Sequence, residues 1–352
     1  MLFSSEQVSN GHPDKICDQI SDAIVTDVLK HDKAARIAAE TVIKDYEITI
    51  LGEITSEYTP DYHALVREVL GNIHLEHPDK YNIRLLVSQQ SPDIAMGVDR
   101  NGAGDQGMMF GYATNETPEM LPVPFVLATK ALLKLREYNL KDNFRTFRPD
   151  AKAQVSFDYD SHRIDTFLIS TQHAAEVSLE DVRRIVTEIM METARENGFN
   201  TDFRVLVNPT GRFVLGSSFA DSGLTGRKII ADTYGGAAHH GGGAFSGKDP
   251  SKVDRSAAYM ARKIARDIVK AGKADKCEVQ LAYAIGVAEP VSVYIDCFGT
   301  EHEDRSEILR NIMGQYDLTP QGIIRALSLL DVDYNLVSSY GHFGKPALPW
   351  EQ

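Results

Sequence analysis

The spacing of apolar residues along the chain predicts a mixture of amphipathic helices and half-buried strands. Apolar residues recur every four positions from Ile16 to Val28, as expected for one face of a helix, and Pro13 suits its first turn. The same criteria predict helices at residues 12–31, 62–70, 124–138, 182–196, 250–271, 307–315 and 320–330. Runs rich in β-branched and aromatic residues predict strands at residues 35–43, 46–54, 82–89, 153–160, 164–171, 203–207, 212–215, 228–234, 277–285 and 291–298.

The order of these elements distinguishes a layered α+β fold from a doubly wound α/β fold. Strand pairs are mixed with helices roughly three times along the chain, without the regular alternation of a doubly wound parallel sheet. Residues 91–107 are rich in Gly and Asp and have no periodicity, which predicts a loop. We therefore expect a layered α+β fold.

Composition excludes several classes of function. The chain has 352 residues, of which 43% are hydrophobic and 25% charged, as in ordinary globular proteins. A formal net charge of −13 disfavours nucleic acid as a partner, and no apolar run is long enough to span a membrane. Three separated cysteines without a CxxC pair, and an N-terminus without a secretory signal, predict a cytoplasmic protein. An anionic substrate requires lysines and arginines that are concentrated locally.

The segment GGGAFSGKDPSKVDRSAAY, residues 241–259, is close to a phosphate-binding loop. The G-x-x-x-x-G-K spacing ends at Lys248, but Asp249 occupies the place of the Ser or Thr that would bind Mg²⁺, and no strand precedes the segment directly. We therefore reject the Walker interpretation. Glycines, Lys248, Lys252 and a helix that begins at Pro250 with Asp249 as its cap still suit a polyphosphate. The alternative is a surface loop before a well-capped helix.

Two further segments have residues suited to binding nucleotides and metals. In GHPDKICDQISDA, residues 11–23, His12, Asp14 and Lys15 fall in the first turn of a predicted helix. In GAGDQGMMFGYATNET, residues 102–117, three glycines surround Asp105. Each signal is weak alone. The alternatives are a tight turn before a strand, and an ordinary helix start followed by two solvated acids, Asp18 and Asp22.

Together the three segments resemble those of the S-adenosylmethionine synthetase (methionine adenosyltransferase) family. The resemblance extends from Ser9 to about Trp350. Further family-like runs, in the same order along the chain, are QSPDI, RPDAK, STQH, NPTGRF, GLTGRKIIADTYGG, YAIGVAEP and YGHFG. So many long matches in one order leave little room for coincidence.

The resemblance implies a fold, an activity and an assembly. It implies three pseudo-symmetric α/β domains of mixed sheets with helices on one face, which we place at residues 1–95, 102–216 and 217–352, with strands exchanged between them. The implied reaction joins L-methionine to ATP and hydrolyses the displaced triphosphate to pyrophosphate and phosphate. The implied cofactors are two Mg²⁺ and one K⁺ per subunit. The implied assembly is a homodimer with shared active sites, which pairs into a homotetramer.

The resemblance also assigns roles to individual positions. Catalytic roles fall on His12, Lys152, Arg227 and Lys248. ATP binding falls on His12, Lys15, Asp105, Asp150, Lys152, Arg212, Phe213, Asp221, Arg227, Lys228, Ala244 and Lys248. Methionine binding falls on Glu53, Gln90, Asp221 and Lys252. Metal binding falls on Asp14 and Asp254 for Mg²⁺ and on Glu40 for K⁺.

These positions also have ordinary structural explanations. Glu40 and Glu53 fall in predicted strands, where they could be solvated side chains, and Phe213 could be a core residue. The resemblance gives no support to His239 and His240, which we interpret as structural or solvated.

One region departs from the family pattern. Asn101 alone separates GVDR from GAGDQG, and Met96 stands where a glutamine is expected. In the family this region closes over the active site, so lid order and turnover are the properties that the departure affects. Two rival functions remain open: a nucleotide-dependent kinase or ATPase, and a non-catalytic homologue that binds nucleotide and regulates an active partner.

Overall fold

A computed structural model of the chain describes residues 1–89 and 102–352. The strands are β1 Leu2–Val8, β2 Arg36–Lys44, β3 Glu47–Thr55, β4 Asn82–Ser88, β5 Gly107–Thr114, β6 Phe147–Asp158, β7 Arg163–His173, β8 Arg204–Val207, β9 Gly223–Leu224, β10 Lys276–Tyr283 and β11 Ser292–Asp296. The α-helices are α1 Pro13–His31, α2 Tyr62–Ile73, α3 Val123–Asp142, α4 Leu179–Glu196, α5 Ser217–Ala220, α6 Ile229–Asp232, α7 Val253–Lys270, α8 Arg305–Gln315 and α9 Pro320–Ala326. Most of the predicted loop at residues 91–107, with Gln90, Met96 and Asn101, lies outside the described residues.

The strands form three sheets of similar construction. Their strand orders are β1–β6–β7–β8, β9–β2–β3–β4 and β5–β10–β11. In the first two sheets the last pair of strands is parallel and the others are antiparallel, whereas the third sheet is antiparallel. Mixed sheets together with helices confirm the predicted α+β class.

Each sheet includes a strand from a distant part of the chain. Strand β1 pairs with β6 in a register that places Ser5 opposite Val155, and β9 pairs with β2, with Leu224 opposite Val42. Strand β5 likewise pairs with β10. The three sheets therefore do not coincide with continuous stretches of sequence, and the domain boundaries given above stay predictions.

One long helix packs on each sheet. Helix α1 packs on β2, α3 on β1 and β6, and α7 on β5 and β10. The apolar residues of α1 that predicted the helix are completely buried, from Ile16 to Val28. Helix α7 lies so close to β5 that a Cβ on Gly111 would be 1.9 Å from the carbonyl carbon of Ala261. Glycine is therefore required for this contact.

Several predicted elements were wrong in kind or in position. Strand β1 was not predicted, residues 212–215 form no strand, and residues 228–234 contain the short helix α6 instead of a strand. Helix α7 begins at Val253 rather than at Pro250. No helix in the described part of the chain is long and apolar enough to cross a membrane.

Candidate active site

Three buried aspartates along one face of α1 connect this helix to the two loops that the motifs singled out. Asp14, Asp18 and Asp22 are four residues apart, so they point the same way, and Asp14 and Asp22 are separated by about 12 Å along the axis. Each carboxylate accepts one backbone N–H, from strand β9, from the turn after it, or from the loop that carries Lys248. The donors, in the same order, are Leu224, Gly226 and Gly247, at 2.9, 2.8 and 3.0 Å. The interpretation of Asp18 and Asp22 as solvated acids is therefore wrong.

The first cluster lies around Asp14 at the start of α1. Oδ2 of Asp14 is 2.5 Å from the ammonium of Lys228, and Oδ1 is 3.7 Å from Nε of Arg227. His12 is the N-cap of the helix, and its Nδ1 accepts the backbone N–H of Asp14 at 3.2 Å. A neutral His12 therefore carries its proton on Nε2.

The surroundings of His12 favour this neutral form. Burial, followed by the positive charges of Lys228 and Lys152, lowers the pKa of His12 to about 3, against the smaller opposing effect of Asp14. His12 is thus an uncharged donor next to cations at neutral pH. Such a group can donate a hydrogen bond to an oxygen that gains negative charge.

Strand β6 contributes two further predicted residues. Burial raises the pKa of Asp150 to about 6, although the 2.7 Å hydrogen bond from the backbone N–H of Ser217 and the charge of Lys152 both oppose the shift. Asp221 interacts electrostatically with both Asp150 and His12. Lys152 and Asp221 are exposed. The structure therefore brings these residues into the first cluster, with two side chains free to meet a ligand.

The second cluster surrounds a cavity of about 450 Å³. Residues from five separate segments line it, and among them are predicted site residues Glu53, Asp105, Lys248, Lys252 and Asp254. Lys248 and Asp254 form an ion pair. The cavity therefore has both cationic and anionic walls, which suits a zwitterion or a metal-bound phosphate.

The loop that carries Lys248 is tied to strand β2. Gly247 has φ +84°, and a Cβ there would be 1.9 Å from the carbonyl oxygen of Ala39, so only glycine fits. Asp249 is buried and accepts the backbone N–H groups of Ile37 at 2.7 Å and of Ser251 at 2.8 Å. The carboxylate that breaks the Walker pattern thus stabilises the loop. The carboxylate of Asp249 caps the turn before helix α7, so α7 starts four residues after Asp249, with Lys252 as its N-cap.

The remaining predicted residues differ in burial, and one of them lies outside the described residues. The ammonium of Lys15 is buried between Asp18, at 2.9 Å, and Asp232, at 2.5 Å, and these acids raise its pKa although burial works against them. The structure therefore gives no support to a contact between Lys15 and ATP. Glu40 is exposed on β2. Gln90 lies outside the described residues.

Arg212, Phe213 and Ala244 lie in irregular segments. Arg212 is exposed and Phe213 is half-buried, with the backbone of Phe213 hydrogen-bonded to the backbone and ring of His173. Ala244 faces Gly226, where an added Cβ would lie 2.5 Å from the Cβ of Ala244. The loop of Lys248 and the loop of Lys228 therefore touch each other, and the two clusters belong to one neighbourhood.

His239 and His240 have structural contacts, as their interpretation from the sequence expected. Nδ1 of His239 is 2.7 Å from Oε1 of Glu278, which raises the pKa of His239. Nδ1 of His240 accepts the backbone N–H of Gly242 at 2.8 Å.

The carboxylates of the site are too few to bind a metal ion by themselves, and a bound ligand has to supply further donor atoms. Within residues 1–89 and 102–352, no group of three or more His, Cys, Asp or Glu side chains is placed to bind a metal ion. Asp14 and Asp254 each offer one carboxylate beside a lysine. Mg²⁺ is commonly bound through one or two carboxylates together with substrate phosphates and water, so this donor set fits it.

Sequence reasoning missed a second layer of buried polar residues under the site. It includes Asp22, Arg255, Tyr259 and His342, which are connected by hydrogen bonds. The only sequence signal was the four-residue spacing of the aspartates in α1. The partners of these acids come from distant segments, and sequence spacing cannot reveal them.

The sequence is similar to that of known proteins over the whole chain. Models of the N-terminal, central and C-terminal domains of S-adenosylmethionine synthetase match residues 1–92, 100–213 and 215–352. A curated protein of Mesoplasma florum, named S-adenosylmethionine synthase, is 47% identical over 365 aligned positions, which cover 100% of this chain and 97% of that protein. The resemblance inferred from the motifs is confirmed, and the chain belongs to the S-adenosylmethionine synthetase family.

Proposed function

We propose that this protein makes S-adenosylmethionine from L-methionine and ATP and hydrolyses the displaced triphosphate to pyrophosphate and phosphate. Membership of the family, through three matching domains and a full-length relative, supports this activity. The structural observation that carries it is the pair of acid–lysine clusters, Asp14 with Lys228 and Asp254 with Lys248, each next to a glycine-containing loop.

The reaction requires charge stabilisation more than acid–base chemistry. The thioether sulfur of methionine attacks C5′ of the ribose, the C5′–O bond breaks, and the electron pair of that bond leaves with the triphosphate. A neutral thioether has no proton to lose, so a general base cannot activate it. The rate of the transfer therefore depends on alignment of sulfur with the breaking bond and on stabilisation of the leaving triphosphate.

Residues of the first cluster are proposed to stabilise negative charge on the bridging oxygen of the leaving triphosphate. His12 is buried and neutral, with its Nε2 proton available to the bridging oxygen as negative charge develops there. Lys152, Arg227 and Lys228 supply positive charge around it. At an effective dielectric near 20, one charge pair at close range contributes roughly 4 kcal/mol, so a few cations can lower the barrier substantially.

Further residues are proposed to bind ATP. Arg212 and Phe213 are proposed to contact the nucleotide, with the half-buried ring of Phe213 stacked on adenine. The other proposed nucleotide contacts are Asp105, Asp150, Asp221 and Ala244. Lys15 is the exception, since its ammonium already has two buried carboxylate partners.

The second cluster suits methionine and the far end of the triphosphate. Glu53 and Lys252 line the same cavity, and their opposite charges match the ammonium and carboxylate of a free amino acid. Asp221 and Gln90 complete the proposed methionine contacts. Lys248, in the loop tied to β2, is proposed to bind a phosphate oxygen.

The proposed cofactors are two Mg²⁺ and one K⁺ per subunit. Bound Mg²⁺ supplies positive charge to the phosphate oxygens. Asp14 and Asp254 are the carboxylates proposed to hold it, and Glu40 is proposed for K⁺. Each acid lies in the described structure as a single carboxylate, so phosphate oxygens and water are needed to complete the coordination.

We also propose a cytoplasmic homodimer with shared active sites that pairs into a homotetramer. The resemblance to the family implies this assembly. Leu86 of β4 and Tyr294 of β11, which are 51% and 46% exposed, are candidate interface residues.

The test is incubation of the protein with methionine, ATP, Mg²⁺ and K⁺, followed by mass analysis of all products. We expect S-adenosylmethionine with equal amounts of pyrophosphate and phosphate. Formation of ADP in place of S-adenosylmethionine would establish the kinase or ATPase alternative. Tight ATP binding with no product would establish the regulatory homologue.

A further inference from the structure

Arg255, in the first turns of α7, forms a completely buried ion pair with Asp22 of α1. Its two terminal nitrogens lie 2.7 and 2.9 Å from the two carboxylate oxygens. Both side chains have 0% exposure. No ligand can reach Arg255 directly, so any contribution to the reaction must act through another residue.

Both members of this pair contact the backbone on either side of the Lys248 side chain. Nη1 of Arg255 donates to the carbonyl oxygen of Lys248 at 2.9 Å. Oδ1 of Asp22 accepts the N–H of Gly247 at 3.0 Å. The pair therefore fixes the peptide unit after Lys248 and the peptide unit before Gly247, while the N–H of Ala39 holds the unit between them at 2.9 Å from the carbonyl oxygen of Gly247. Together these contacts fix the point from which the ammonium of Lys248 reaches the site.

Other buried groups fix Arg255 itself. Nε of Arg255 donates to the hydroxyl of Tyr259 at 3.1 Å, and the guanidinium lies over the ring of Tyr334 at 4.0 Å from its centre. The hydroxyl of Tyr259 is in turn 2.7 Å from Nδ1 of His342. All three guanidinium nitrogens and one face of the group therefore have a partner, which restricts its movement.

Stability alone is a weak reason for such a pair. Desolvation of two buried charges offsets much of their attraction, and well-packed apolar residues often replace a buried pair without loss. An arginine that contacts a carboxylate and a backbone carbonyl in one plane is instead well suited to hold a loop in one geometry. Small errors in placement of a catalytic group can reduce the rate by about 100-fold.

We propose that Arg255, together with Asp22, is a positioning residue that holds the ammonium of Lys248 in place for the leaving triphosphate. This inference rests on the role of Lys248 in the proposed function. Lysine cannot replace arginine here, because a single ammonium cannot bind both carboxylate oxygens and the carbonyl of Lys248 in one plane.

The test uses Arg255→Lys in the full-length protein, with Arg262→Lys as a matched control. Arg262 lies on the same helix, is equally buried, and makes two 2.9 Å contacts with Glu351, but none with the Lys248 loop. We expect Arg255→Lys to lower kcat roughly 10- to 100-fold, with KM for ATP changed less than about threefold. Arg262→Lys should leave the kcat of the folded enzyme within about twofold, whatever its effect on the melting temperature.

A double-mutant cycle with Lys248→Ala decides whether Arg255 acts through Lys248. It is measured on kcat and on the affinity for inorganic tripolyphosphate, so that an inactive Lys248→Ala variant still gives a result. We expect the effect of Arg255→Lys to disappear when Lys248 is absent. If Arg255→Lys does not fold, Asp22→Asn, which keeps an oxygen for the N–H of Gly247, takes its place in the same cycle.

The possible failures are distinct. Unchanged kcat in Arg255→Lys, an equal loss in Arg262→Lys, or a full effect without Lys248 would each overturn the positioning role. Normal activity of Lys248→Ala alone would instead remove the proposed role of Lys248, on which the inference depends. Absence of S-adenosylmethionine from the unmodified protein would refute the proposed function itself.

Discussion

The ammonium of Lys228 lies 2.5 Å from Oδ2 of Asp14, in the first turn of α1. Asp14 is almost completely buried, and its other oxygen accepts the backbone N–H of Leu224 at 2.9 Å. A lysine thus already neutralises the carboxylate that we propose for Mg²⁺. In the proposed function, Mg²⁺ binding at Asp14 and the position of the Lys228 ammonium would therefore be coupled.

Replacement of Asp14 by Asn tests its metal role. The amide keeps the size of the side chain and an acceptor for the N–H of Leu224, but it removes the negative charge. We expect the Mg²⁺ concentration for half-maximal rate to rise, and the maximal rate to fall, each on the order of 10- to 100-fold. Initial rates measured across a Mg²⁺ titration check this.

The matched control is Asp181→Asn. Asp181 also lies in the first turn of a helix, α4, but its side chain is exposed and its partners are Ser178 and Arg184. This variant should keep the parent Mg²⁺ curve. If Asp14→Asn also keeps that curve, Asp14 only stabilises the start of α1.

Lys248→Ala should lower kcat by roughly 10²- to 10³-fold, as expected when one group that stabilises the leaving charge is removed. The fold should survive, since the loop is tied to β2 through backbone groups of Gly247 and through the side chain of Asp249. Product formation and circular dichroism measure the two effects separately.

Lys263→Ala is the corresponding control for loss of a lysine–aspartate pair. Lys263 lies 2.9 Å from Asp267 on α7, away from both clusters. Its removal should leave kcat unchanged. Soluble, folded Lys248→Ala with the parent rate would contradict the role of Lys248.

Local patterns predicted much of this fold because they determine local structure. The four-residue apolar spacing located α1, and runs of β-branched and aromatic residues located β2, β3 and β7 to within two residues at each end, whereas β6 begins six residues before its predicted start. The failures involve long-range contacts. Strand β1 has polar residues at several positions, and only its pairing with β6 makes it a strand. The start of α7 was misplaced because the carboxylate of Asp249 binds the backbone of Ile37, which is far away in sequence.

In the site, too, the sequence indicated some residues, while contacts between distant segments could not be predicted. The resemblance to the family assigned both Asp14 and Lys228 to the site, and the structure brings the two side chains within 2.5 Å of each other. The motifs could not indicate that Lys15 is buried against Asp232, or that Asp22 pairs with Arg255, because each partner lies more than 200 positions away. Burial of an acid depends on a partner that the local sequence does not reveal.

Asp150 gives a prediction for the dependence of stability on pH. Its pKa is raised in the folded protein from 3.8 to about 6, chiefly by burial. Between these values the folded state keeps a proton that the unfolded state has lost, so stability falls as pH rises through this window and stays lower above it. Asp150→Asn cannot ionise and keeps an acceptor for the N–H of Ser217.

We therefore expect the Asp150→Asn variant to gain stability relative to the parent as pH rises from about 4 to 7. The gain should be on the order of 3 kcal/mol, from the conversion of a pKa shift into free energy. Urea unfolding of both proteins at several pH values measures it. Parallel stability curves would show that Asp150 does not titrate differently in the folded and unfolded states.

Asp249→Ser tests why the Walker pattern is broken. The substitution creates the G-x-x-x-x-G-K-S sequence, yet it removes the carboxylate that accepts from Ile37 and Ser251 and pairs with Lys252 at 3.1 Å. Hydrogen bonds to a charged group contribute about 1.5–3 kcal/mol each, and partial replacement by water or the hydroxyl recovers some of this. We expect the free energy of unfolding to fall by roughly 3 kcal/mol, with loss of S-adenosylmethionine synthesis and no ADP formed. Asp249→Asn keeps an uncharged acceptor, so its free energy of unfolding should fall less than that of Asp249→Ser. Formation of ADP by Asp249→Ser would contradict the prediction and would mean that the loop binds phosphate as a Walker motif does.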